Sequence, residues 1–193
     1  MGDSVSVEIV EFSSGKDVNT ALAAGSIDFG LEGSCPASLA IAQDLGVELI
    51  WIHEVLGDVE SLVATGTSGI NTVADLKGKK VAVPFASTAH FSLLKAMENA
   101  GLSASDVTVL DMQPDKIYAS WNSGDIDAAY IWEPTLSQLS NKKTVITSGE
   151  LAKAGYMTSN VEVVRTKFAE AHPDIVAAYV KAVSYTHLTL PTI

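Results

Sequence analysis

The sequence predicts an α/β fold made of two similar lobes that face each other across a cleft. Two observations carry that prediction. Short apolar runs of strand character alternate with helical runs along most of the chain, the pattern of βα units with largely parallel strands. A second signal is a unit that occurs twice: a glycine helix stop, an Ile-Asp pair, a short buried strand and a proline-led helix. With 193 residues, 47% of them hydrophobic, the chain can bury one sizeable core or two smaller ones.

Residues 5–12 alternate, with Val5, Val7 and Ile9 on one side, and predict a strand. A short helix over 18–24 ends at Gly25, and a strand follows over 27–30. Pro36 opens a helix over 36–45 that Gly46 closes, and 47–53 is the next strand. Glu60 enters an apolar strand at Leu62-Val63-Ala64. After a polar stretch at 69–80, with one helical turn at 73–76, the pattern restarts: strand 81–84, helix 88–100 stopped by Gly101, strand 107–111, helix 114–123. A strand at 128–132, a helix at 134–139 and a strand at 144–147 complete it, and residues 173–183 begin a further helix.

The repeated unit is Gly25-Ser26-Ile27-Asp28-Phe29-Gly30, followed by Ser34-Cys35-Pro36, and again Gly124-Asp125-Ile126-Asp127-Ala128-Ala129, followed by Trp132-Glu133-Pro134. It is either common turn chemistry met twice or the mark of two related lobes. Related lobes would each present a loop at a strand's carboxyl end, where open α/β sheets bind ligands, and facing lobes suggest a cleft that closes on a small molecule.

Composition excludes several functions. A formal net charge of −11 and scattered basic residues argue against nucleic acid. The single Cys35 excludes an intrachain disulfide and a cysteine zinc cluster, and His53, His90, His172 and His187 have no ligand spacing, so neither metal nor cofactor is expected. No apolar run is long enough to span a membrane. Catalytic elbows, phosphate loops and dinucleotide fingerprints are missing too, so binding without chemistry is the simpler reading.

An anion held by so acidic a chain needs local donors. Ser87 is a good N-cap, and Thr88 opens a helix whose first-turn N–H groups and macrodipole favour negative charge; the bland alternative is an ordinary cap. His90, in the same turn, could donate to the anion or pack at the lobe surface. Ser34 holds the corresponding place in the first lobe, whereas Cys35 has no basic neighbour to activate it. Trp132 is either core or a cap on the ligand, open to stacking on an ammonium. Glu60 is either an exposed edge residue or a counter-charge for a cation.

Over residues 12–183 the chain resembles the taurine-binding, and more broadly the aliphatic sulfonate- and nitrate-binding, proteins of ABC importers. The motifs that carry the resemblance are Asp75-Leu76-Lys77-Gly78-Lys79-Lys80-Val81-Ala82-Val83-Pro84-Phe85, Ser87-Thr88-Ala89-His90-Phe91-Ser92-Leu93-Leu94, and Gly124-Asp125-Ile126-Asp127-Ala128-Ala129-Tyr130-Ile131-Trp132-Glu133-Pro134. The resemblance implies a type II periplasmic-binding fold: a partial first lobe over 1–72, a second over 73–155, and a return segment over 156–183. Ser34, Ser87, Thr88 and His90 would surround the sulfonate, with Glu60 and Trp132 toward the amine end. It implies a small anionic or zwitterionic ligand such as taurine or an alkylsulfonate, ABC permease subunits as partners, a monomer, and a periplasmic or lipid-anchored location.

Three departures stand out. The chain begins without a basic and apolar leader, and without the first strand and helix of such proteins. Asn160 stands where taurine proteins tend to place an aspartate for the ammonium. Residues 184–193 leave the helical pattern and read as a non-native tail. Related folds also serve an enzyme of thiamine-pyrimidine precursor synthesis, which would bring a histidine- and cysteine-rich site, and effector domains of transcription regulators, which would need a basic helix-turn-helix upstream.

Overall fold

The computed structural model describes residues 5–189. Helix α1 (Gly15–Ala24) leads to strand β1 (Phe29–Gly33), α2 (Ser34–Ala42) and β2 (Val47–Val55). Strand β3 (Glu60–Thr65) and a 3-10 turn (Val73–Leu76) precede β4 (Lys80–Val83), α3 (Thr88–Asn99), β5 (Thr108–Asp111) and α4 (Pro114–Ser123). Then come β6 (Ala128–Trp132), α5 (Thr135–Gln138), β7 (Lys142–Thr147), α6 (Ser148–Lys153), β8 (Ser159–Arg165), α7 (Thr166–Ala171) and α8 (Pro173–Thr189).

Two sheets result, one ordered β1-β8-β2 and the other β5-β4-β6-β3-β7. The expected largely parallel order holds only for β5, β4 and β6. In each sheet the strand that arrives from the other lobe runs against its neighbours. β3 pairs antiparallel with β6 and β7, and β8 pairs antiparallel with β1 and β2. A chain that crosses between facing lobes enters the new sheet from the cleft side, opposite to strands that run toward the cleft. β3 therefore belongs to the second sheet, although the sequence placed residues 1–72 in the first lobe. The two crossings lie side by side, joined where the Leu56 N–H donates to the Thr158 carbonyl at 2.9 Å.

The repeated unit is a structural repeat. α1 and α4 are each 10 residues long and end on a left-handed glycine, Gly25 at φ 71° and Gly124 at φ 77°. β1 and β6 are each 5 residues long and begin at the same distance from that glycine. The Asp28 carbonyl accepts from Arg165 N–H of β8, and the Asp127 carbonyl accepts from Thr65 N–H of β3, so each unit receives its crossing strand in the same way. Arg165 also pairs with the Asp28 carboxylate.

Apolar layers cover both faces of the five-stranded sheet. Leu93, Met97 and Val83 lie on the α3 side, and Ile117, Trp121 and Ile131 on the α4 side. A smaller cluster of Val18, Leu22, Ala40 and Val163 holds α1 and α2 on the first sheet. The tilted contact of Phe29 with Tyr179, ring centroids 4.6 Å apart, sets α8 against the same lobe.

Two expectations fail. Residues 5–12 join neither sheet, and Val7 and Ile9 are 65% and 91% exposed. Alternation makes a strand only where a neighbour completes the ladder, and none does among the described residues. At the other end, α8 continues to Thr189 where the helical pattern was expected to stop, because backbone i to i−4 bonding does not need an apolar stripe once a helix is nucleated. Residues 190–193 of the expected tail lie outside the described residues. No described helix is long and apolar enough to cross a membrane.

Candidate ligand-binding cleft

A cavity of about 420 Å³ opens at the carboxyl ends of β1 and β6, between the two lobes. That size suits a small molecule. Ser13, the N-cap Ser14 and Gly15, the first residue of α1, line it, as do Ser87 and Thr88 at the start of α3. Helix starts carry N–H groups without intrahelical partners and a partial positive charge, so two of them on one cavity favour an anion despite the acidic background.

Ser87 caps α3 as its sequence suggests. Its hydroxyl accepts from His90 N–H at 3.1 Å and donates to the Pro84 carbonyl at 2.6 Å. Thr88 donates to Glu60 at 2.5 Å. Glu60 is only 1% exposed, and its other oxygen accepts from Ser148 at 2.7 Å. Burial raises its pKa, while the Thr88 and Ser148 hydroxyls pull it down. Glu60 is thus a strut joining β3, α3 and α6 at the cleft wall, where the sequence left it as either an edge residue or a counter-charge.

Trp132 and Asn160 also line the cavity. Asn160 donates its amide N–H to Glu54 at 2.8 Å. Register relates the two crossing strands: Glu60 lies opposite Trp132 at the end of β6, and Asn160 lies opposite Gly33 at the end of β1. The remaining expected site residues stand back. Ser34 accepts from Ser159 N–H at 3.2 Å, bracing the return crossing instead of lining the cavity. His90 stacks on Phe85 with ring centroids 4.3 Å apart and is not among the lining residues. Burial lowers its pKa, with Asp111 opposing. Burial, aided by the Glu60 carboxylate, pushes the Cys35 thiol up to about 11, which leaves it unreactive. Among the described residues no His, Cys, Asp and Glu cluster could hold a metal ion.

The lobes meet at Gly33. A Cβ placed there would lie 2.7 Å from Thr88 Cγ2, and Thr88 is pinned by Glu60. Gly33→Ala is therefore expected to force α3 and β1 apart and weaken ligand affinity about tenfold or more, about 1.4 kcal/mol, as read by calorimetry.

The sequence model of the NMT1/THI5-like family matches residues 3–187. The chain belongs to this family. It is 40% identical over 173 residues to the taurine-binding periplasmic protein of Escherichia coli, covering 89% of this chain and 53% of that one. Among solved structures it is similar to the periplasmic aliphatic sulphonate binding protein of Escherichia coli, with TM-score 0.76, 28% identity, and coverage of 91% of this chain and 60% of that one. It is also similar to the alkanesulfonate-binding protein of Xanthomonas axonopodis pv. citri bound to MOPS, with TM-score 0.72, 27% identity, and coverage of 90% and 60%. The chain spans about half the length of the curated relatives it matches.

The cleft also contains residues that carry no plain signal in the sequence. Ser13-Ser14-Gly15 is a small-residue helix start, but glycine is a poor helix former, so the helix was expected to begin only at residue 18. Glu32 sits in a short strand, where a carboxylate reads as solvent-facing, yet it is 5% exposed and lines the cavity.

Proposed function

We propose that the protein is the solute-binding subunit of an ABC importer, a binding protein and not an enzyme, that takes up taurine or a related small sulfonate in this cleft outside the cytoplasm and hands it to the permease. The observation that carries the reading is the pair of helix starts, α1 and α3, that line one small cavity at the strand ends of both lobes. The names of the similar binding proteins support the ligand class. Two segments crossing side by side between the lobes suit a hinge that closes on the ligand.

In this reading the first-turn N–H groups of α3 donate to the sulfonate, the Ser87 and Thr88 hydroxyls turn to it from Pro84 and Glu60 when it binds, and Trp132 covers the apolar part. Ser34 and His90 support the seat from behind. Replacing Ser87 and Thr88 together by alanine is expected to cost about 1–3 kcal/mol of sulfonate binding, measured by calorimetry. Unchanged affinity in the folded double variant would reject α3 as the seat.

A further inference from the structure

Four carboxylates line the cleft: Glu32, Glu54, Glu60 and Glu133. Three are engaged. Glu54 accepts from Asn160, Glu60 accepts from Thr88 and Ser148, and Glu133 accepts from the Ser137 N–H and hydroxyl. Glu32 differs: both its oxygens are sealed from solvent, and neither has a hydrogen-bond partner among the described residues.

The internal repeat shows how unusual that is. Aligning β1 on β6 from their first residues sets Glu32 on Ile131, which is apolar and fully buried. One lobe fills this position with core, and its twin keeps an unpaired carboxylate there at the cleft. A sealed carboxyl without a partner costs stability whether ionised or protonated, so the position is not explained by packing.

We infer that Glu32 is the acceptor for a cationic group on the ligand, so that the cleft is built for a short zwitterion, an aminosulfonate, rather than a simple alkanesulfonate. This rests on the sulfonate reading above and specifies its other end. Asn160 offers no countercharge, and its amide N–H already serves Glu54. Glu32 also lies beside an anion seat. A Cβ on Gly15, in the first turn of α1, would stand 3.1 Å from Glu32 Oε2. Donors for a sulfonate and an acceptor for an ammonium are thus adjacent, which fits a ligand whose charges are separated by only a short chain. Burial pushes the Glu32 carboxyl up to about 8, and an ammonium seated against it would restore the ionised form.

The test compares taurine with ethanesulfonate, the same skeleton without the amine, by calorimetry on the unaltered protein, Glu32→Gln and Glu32→Leu. Thermal unfolding checks that the variants fold, as expected when a sealed carboxyl without a partner is replaced. The unaltered protein is expected to prefer taurine, and both variants to lose about 30-fold or more in taurine affinity while ethanesulfonate changes little. Retained taurine affinity in the variants, or equal losses for both compounds, would overturn the inference and leave the sulfonate reading standing. Binding of neither compound by the unaltered protein would overturn both.

Discussion

Glu32→Leu is expected to stabilise the empty protein, and by more as pH rises. Burial lifts the Glu32 pKa from 4.5 to about 8 in the folded state. Between those values the folded form holds a proton that the unfolded form has released. Stability from this group is therefore fully present below pH 4.5 and is lost as pH rises through about 8. Leucine and glutamine have no such dependence. The gap between unaltered protein and variant should widen by about 3–5 kcal/mol from pH 4.5 to pH 9, by the linkage of about 1.4 kcal/mol per pKa unit. Denaturant unfolding at the two pH values measures it. Glu60 is present in both proteins, so its own raised pKa cancels in the comparison. Parallel pH profiles would mean that Glu32 is solvated or paired in solution. A residue that weakens the fold and is nonetheless placed at the cleft is the expected signature of a group kept for binding.

Glu60→Ala is expected to act in the opposite direction. The side chain ties β3 to α3 through Thr88 and to α6 through Ser148, and it is fully enclosed. Alanine leaves a cavity and strips two buried hydroxyls of their acceptor. Ser148 can still turn to Tyr130, 3.1 Å away, whereas Thr88 loses the contact that fixes it at the cleft. A loss of about 2–4 kcal/mol is expected in denaturant unfolding at pH 6, with weaker sulfonate binding as a second effect. Glu60→Gln keeps the volume and one acceptor, and about half the loss should return. A folded Glu60→Ala protein of unaltered stability would show that the strut carries little.

The fold was largely legible because its signals are local. Gly25 and Gly124 stop helices by adopting left-handed backbone, and that chemistry is visible in sequence. Helix α4 and strand β6 fall on their expected bounds. Strand direction was not legible, because it depends on which lobe β3 and β8 come from and not on their own residues. The unpaired run at 5–12 shows the same limit, since a strand's partner is remote in sequence. In the cleft, cap chemistry, strand ends and resemblance point to Ser87, Thr88, Glu60, Trp132 and Asn160, and all line one cavity. The same grounds point to Ser34 and His90, but their side chains turn to Ser159 and Phe85. Glu32 stayed hidden because its meaning comes from what it fails to touch.

Titration of taurine into the protein, followed by calorimetry and by tryptophan fluorescence, tests most directly whether this cleft seats a small sulfonate. Trp132 lines the cavity and should report occupancy. The expected result is saturable binding at one site, with a matching fluorescence change, and no binding of ethylamine, which keeps the amine and lacks the sulfonate. Absence of binding by taurine and ethanesulfonate alike, or equal binding of ethylamine and taurine, would contradict it.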